Sequence, residues 1–162
     1  MTSVLVDNEW LAMEMPEGFE LVPHDELEKL MGFKYDCLWG MRDKARHMLI
    51  SITWKDANKY LGKLASEKFL ANRIDETFAK RYHKKDDYRC DGHFERAVAG
   101  SDVGARGISF SYLFEGVPHA GEALVFKRDG RRSYTLIYYT SAAAADENRS
   151  VYEEVLDSLE VR

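Results

Sequence analysis

Residues Gly107 to Ser141, GISFSYLFEGVPHAGEALVFKRDGRRSYTLIYYTS, decide the fold of this chain. Ile108, Phe110, Tyr112 and Phe114 recur at every second position, opposite Ser109, Ser111 and Glu115. That period lines one face of a strand and leaves the other lightly packed. The segment Gly116-Val117-Pro118-His119 predicts a first break. Asp129-Gly130, between Phe126 and Tyr134, predicts a tighter one, because glycine takes the positive φ of primed hairpin turns without a Cβ clash. Three strands joined in this way form an antiparallel meander. The last of them, Tyr134 to Tyr139, is apolar or aromatic on both alternating sets, Tyr134/Leu136/Tyr138 and Ile137/Tyr139. Such a strand needs cover on both faces.

The flanking sequence supplies that cover. From Lys59 to about Lys84 there is no proline, and Leu70, Ile74, Phe78 and Tyr82 fall one helical turn apart, which predicts the main helix. Ser66 is an alternative start, since serine is a good N-cap. The run Lys80 to Lys85 then places cations at the negative end of the helix dipole. Asp146 to Leu159 predicts a closing amphipathic helix with Val151, Val155 and Leu159 on one face and Asp146 as N-cap. A short helix over His24 to Met31 ends at Gly32. Strand patterns occupy Tyr35 to Trp39, Met48 to Trp54 and Tyr88 to Val98, with a turn at Arg42-Asp43-Lys44. An opening hairpin over Trp10 to Leu21 would turn at Pro16 to Gly18. The expected architecture is α+β, a central antiparallel β-sheet with helices packed on both faces, an α/β/α sandwich built as a single domain over residues 1–162.

The "MEMPEGFE" opening, the long helix before a meander ending "RSYTLIYYTS", and the closing helix "ENRSVYEEVLDSL" together resemble the PsbP-like fold. That fold is shared by photosystem extrinsic proteins, a nuclear Ran-binding protein, DcrB-like bacterial proteins and secretion-effector chaperones. The resemblance covers nearly the whole chain. It implies a non-catalytic adaptor, and it assigns no functional residue, because it rests on element order and aromatic patterning.

The residues themselves exclude several classes of function. With 28 acidic against 23 basic residues and a net charge of -5, the chain lacks the clustered cationic excess that phosphate neutralisation requires, so no nucleic-acid partner is expected. No run approaches the roughly 20 apolar residues of a membrane span, and the first 18 residues lack the basic and apolar regions of a leader, so a cytoplasmic location is expected. Cys37 and Cys90 match no metal spacing and read as two reduced thiols. The histidines, His24, His47, His83, His93 and His119, show neither a helical i,i+4 pair nor a close His/Cys cluster. His83 and His93 could converge with Asp86, Asp87 or Asp91, but spacing does not favour it, and no metal and no cofactor is expected. Gly100, Gly104 and Gly107 lead into a strand and lack phosphate-loop spacing, and no serine sits in a nucleophile elbow. No catalytic residue is assigned.

What remains is the basic hairpin Lys127, Arg128, Arg131 and Arg132, four cations around a tight turn on an acidic chain. As a site it would dock an acidic protein partner. As plain architecture it is a polar turn whose charges discourage strand addition. Its geometry is expected to depend on Asp129-Gly130 and not on the arginine side chains. The sequence therefore points to a non-enzymatic protein-binding module, adaptor or chaperone-like. The alternative is a small-molecule-binding protein or enzyme with a pocket between sheet and helix, lined by tyrosines and capped by a His or Arg.

Overall fold

The computed structural model describes residues 1–32, 34–57, 65–82 and 86–162. Its centre is a seven-stranded antiparallel sheet of spatial order β3-β4-β5-β9-β8-β7-β6. The strands are β3 (Glu20–Leu21), β4 (Leu38–Asp43), β5 (Met48–Asp56), β6 (Arg89–Arg96), β7 (Ala105–Phe114), β8 (Val117–Arg128) and β9 (Arg132–Ser141). A second sheet of order β1-β2-β10 is formed by β1 (Thr2–Asp7), β2 (Leu11–Met15) and β10 (Glu160–Val161). The helices are α1 (His24–Met31), α2 (Glu67–Arg81) and α3 (Ala145–Asp157). The segment carrying α2 takes the chain from β5, beside the central strand, to β6 at the far edge.

The meander reads as expected and β9 takes the middle place. Its residues alternate between two separate cores. Tyr134, Leu136 and Tyr138 join Ile50, Ile52, Leu124 and Phe126 in a cluster closed by Tyr152, Val155 and Leu156 of α3 and by Leu11, Met13 and Val161 of the small sheet. Ile137 joins Ile108, Phe110 and Val125 in a second cluster closed by Leu27 and Met31 of α1 and Ala71 and Phe78 of α2. Helices thus cover both faces, and on one face α3 shares the task with the small sheet.

Caps and turns follow local chemistry. The Ser66 hydroxyl accepts the Phe69 N–H at 3.1 Å and starts α2 one residue later, which satisfies one of the orphan donors of a helix N-terminus. The expected helix segment before it, residues 59–64, and the cations Lys84 and Lys85 lie outside the described residues. Asp129 and Gly130 have φ of 53° and 63°, the left-handed pair of a primed turn; the Arg131 N–H donates to the Arg128 carbonyl at 3.1 Å, and the pairing of Arg128 with Arg132 leaves three residues in the loop.

Elsewhere the structure departs from the sequence reading. Glu115 and Gly116, with φ of 50° and 78°, make the β7–β8 turn, so Val117, Pro118 and His119 belong to β8. Asp43 ends β4, and its carboxylate accepts the Arg46 N–H at 3.0 Å to close the turn at residues 44–47. The Pro16–Gly18 turn closes no hairpin. Here β2 pairs with β1 and β10 while β3 pairs with β4, so this turn passes the chain from one sheet to the other. Leu11 and Met13 are fully buried and draw their backbone partner from the N-terminal strand.

Because β9 is buried on both sides, Leu136→Asp and Ile137→Asp should each destabilise by about 3 kcal/mol or more, by burying an unpaired carboxylate. Chemical denaturation midpoints of the two variants check this. Tolerance of either substitution would show that one face of β9 is not core.

Candidate functional site

The second core opens at one end into a wide-mouthed cleft of about 790 Å³. Five parts of the chain build it: Leu30 and Met31 of α1, the 44–47 turn with Met48 and Leu49, Tyr82 at the end of α2, Tyr112 with His119 on the β7–β8 hairpin, and Tyr139 of β9. Register explains the convergence. Leu49 lies opposite Tyr139, and Tyr112 lies opposite His119; directly paired residues share a sheet face. On the same face Gly121 makes room for Phe110, since a Cβ there would stand 2.7 Å from the ring and 2.1 Å from the Tyr138 carbonyl oxygen.

An aromatic stack lines this end of the sheet. Tyr82 lies 4.4 Å from Tyr112 and 5.8 Å from Tyr88, centroid to centroid, and Tyr112 stacks on His119 at 5.5 Å. Phe114 meets His119 edge-on at 6.0 Å. Burial pushes the Tyr82, Tyr112 and Tyr139 hydroxyls above the ordinary phenol range, so all three remain protonated donors at neutral pH. At the margin, Leu30 and Phe114 are exposed, at 53% and 56%. Lys29, Arg42, Lys44 and Arg81 supply positive charge. Arg42 pairs with Glu20 at 2.8 Å and with Glu26, and Lys44 reaches Glu20 at 3.3 Å. Those two cations are therefore largely neutralised, and the cleft is an aromatic surface with a lightly cationic rim.

The basic hairpin is a different object from the one its sequence suggests. Arg132 forms a bidentate pair with Asp56 at 2.7 and 2.9 Å and donates to buried Asp7 at 2.8 Å, while the Tyr134 hydroxyl donates to the same Asp7 oxygen at 2.7 Å. Arg128 and Arg132 lie 4.3 and 4.5 Å from the Trp10 ring centroid. Lys127 is buried and its ammonium donates to the Ala65 carbonyl. Asp102 accepts the N–H groups of Asp129 and Gly130 at 3.0 and 2.7 Å. Arg131 is exposed, and its charge, with that of Arg132, helps hold the Asp56 carboxyl below the ordinary range, the Arg132 hydrogen bond being the larger cause. Three of the four cations are thus engaged in the fold: Arg132 holds β1 through Asp7, Arg128 donates to the Arg162 carbonyl at the C-terminal end, and Lys127 holds the segment ahead of α2.

His93 does find neighbours, though not those expected. Asp75, Cys90 and His93 bring their ligating atoms within 4.8 Å of one another. His83 lies outside the described residues. Both cysteines are free. Among the described residues no helix is long and apolar enough to cross a membrane.

This architecture is the PsbP-like fold. Solved structures similar to the chain include the cyanobacterial PsbP protein CyanoP of Synechocystis sp. PCC 6803, with a TM-score of 0.69, 15% identity and coverage of 99% of this chain and 92% of that one. LpqN of Mycobacterium tuberculosis, involved in cell envelope biogenesis, matches with a TM-score of 0.65 at 10% identity over 99% and 89% of the two chains. The Saccharomyces cerevisiae Ran-binding protein Mog1p matches with a TM-score of 0.61 at 7% identity over 99% and 94%. No protein-family model matches the chain, and no curated protein resembles it in sequence. The likeness is one of fold.

The two hairpin arginines should separate cleanly. Arg132→Glu would set a third carboxylate beside Asp7 and Asp56 and should cost about 3–5 kcal/mol, as does breaking a buried pair. Arg131→Glu, at an exposed site, should stay within about 0.5 kcal/mol. Denaturation midpoints decide it. The Asp56 pair also has a pH signature: a carboxyl whose folded pKa is lowered adds stability that is present above about pH 4 and lost as pH falls through the lowered value. Asp56→Asn should flatten that acid limb of the stability curve.

Proposed function

We propose that the chain, acting as one domain, is a non-enzymatic protein-binding module of adaptor or chaperone type. In this reading the aromatic cleft takes an apolar segment of a partner protein. The observation that carries the reading is the cleft itself: contiguous aromatic and apolar surface, wide-mouthed, with exposed Leu30 and Phe114 at its margin. Monomeric proteins seldom leave such surface open without a use for it. Lys29 beside Leu30 favours acidic residues next to the partner's apolar anchor, an attraction that salt weakens. A fold neighbour that is a Ran-binding protein supports a role in protein interaction. A cytoplasmic setting, where Cys37 and Cys90 stay reduced, belongs to the same reading.

Small-molecule binding is favoured by one specific observation, the convergence of three protonated tyrosines in a cleft whose volume lies within the usual range of about 300–1,000 Å³ for ligand pockets.

The decisive experiment isolates the tagged protein from its own cells and measures the affinity of the partner recovered. Replacing Leu30 and Phe114 together by serine should weaken that partner about tenfold or more, as loss of interface anchors does. Arg131→Glu should leave binding nearly unchanged. A partner indifferent to the cleft substitutions but lost with Arg131→Glu would move the docking surface to the hairpin. A small molecule retained in native mass spectra of the freshly isolated protein, and lost in the cleft variant, would favour the second reading.

A further inference from the structure

We propose that Asp75, Cys90 and His93 form a zinc(II) site that joins α2 to the edge strand β6. The backbone makes the site possible. In a regular strand, residues three apart point to opposite faces. Between Cys90 and Gly92 the β6–β7 register shifts: Cys90 lies opposite Phe110, but His93 lies opposite Ile108. One extra residue is absorbed there, as a β-bulge does. Phe110 and Ile108 both belong to the core beneath α2, so the bulge turns Cys90 and His93 to the same side, where Asp75 descends from the helix.

The ligand chemistry selects the metal. The three ligating atoms lie within 4.8 Å of one another, with the Cys90 sulfur 3.8 Å from His93 Nε2. A tetrahedral zinc ion, with bonds of about 2.3 Å to sulfur and about 2.0–2.1 Å to nitrogen, spaces those two atoms about 3.6 Å apart. A small closing movement is enough. Thiolate, imidazole and carboxylate together suit zinc, while calcium and magnesium demand oxygen ligands throughout. On binding, the zinc–sulfur bond replaces the sulfur–hydrogen bond of Cys90 and one proton leaves to solvent. The resulting Zn²⁺, thiolate and carboxylate carry no net charge, which a half-buried site tolerates, and water completes the fourth position. The Tyr88 hydroxyl donates to Asp75 Oδ1 at 2.8 Å, orienting the carboxylate as outer-shell partners of metal ligands do.

Titration of the full, metal-free protein with cobalt(II) and zinc(II) tests the site. Cobalt should produce a thiolate-to-metal charge-transfer band and the intense visible bands of a four-coordinate ion, both abolished by one equivalent of zinc. Zinc should bind at one per chain and raise the melting temperature. Cys90→Ser, His93→Gln and Asp75→Asn should each weaken zinc by more than about tenfold, and Tyr88→Phe by about tenfold. Cys37→Ser should leave both readouts unchanged. The spectrum needs no variant, so it stands even if a substitution unfolds the protein. Absence of the thiolate band, or zinc binding that survives Cys90→Ser unchanged, overturns the assignment.

Discussion

The constraint on which the rest of the structure depends is the two-sided burial of β9. A strand in the middle of a seven-stranded sheet that carries Tyr134, Leu136 and Tyr138 on one face and Ile137 and Tyr139 on the other cannot leave either side in water. One layer alone would expose half of these side chains. The chain meets the requirement with elements distant in sequence, α1 and α2 on one side, α3 and the small sheet on the other. The two layers are unequal in character. The layer with α3 closes tightly, and Tyr138 stacks on Tyr152 at 4.0 Å. Among the described residues, the layer with α1 and α2 leaves an aromatic margin uncovered at one end, which is where the cleft forms.

Signals confined to one element were legible in the sequence. Strand alternation, the Asp129-Gly130 turn, the Ser66 cap and the Gly32 stop all depend on residues within a few positions of one another, and they led to the meander and all three helices. Pairings between distant segments carry no such signal. The Pro16–Gly18 turn looks like a hairpin because turn chemistry is the same whether the flanking strands pair with each other or with strands elsewhere. The partner of β2 is fixed by which face Leu11 and Met13 must bury, and that depends on the placement of α3 and β10.

The site residues illustrate the same limit more sharply. Arg132 stands in a conspicuous basic run, but its partners Asp56 and Asp7 lie 76 and 125 positions away, so a structural clamp reads as a solvated charge patch. The cleft was foreseeable in kind, as tyrosines and a histidine between sheet and helix. Its members were not, because Tyr82, Tyr112 and Tyr139 meet only once the β5–β9 and β7–β8 registers are set. The bulge in β6 is harder still. Only Gly92 marks it, since a glycine inside a strand often sits at a bulge, and under regular alternation Cys90 and His93 would face apart.

The cleft and the Asp75–Cys90–His93 cluster are physically contiguous, and a single residue makes them so. Tyr88 donates its hydroxyl to Asp75 and stacks its ring on Tyr82, which in turn stacks on Tyr112 in the cleft wall. Asp75 lies in α2 and Tyr82 caps its C-terminus, about 10 Å further along the axis at 1.5 Å per residue. Whatever fixes Asp75 therefore fixes the carboxylate that anchors Tyr88, and through it the ring against which Tyr82 rests. Coupling of this kind is a difference in binding free energy and acts equally in both directions. Since α2 meets the sheet mainly over β7 and β8, with β6 at the edge beyond them, the tie to β6 is the contact through which such coupling would pass. Rigid packing of Phe78 against Phe110 at 5.0 Å beneath the helix limits the movement available to small shifts of the helix end. Any effect of one site on the other would therefore be carried by the C-terminal turn of α2 and the Tyr88–Tyr82–Tyr112 stack that rests on it.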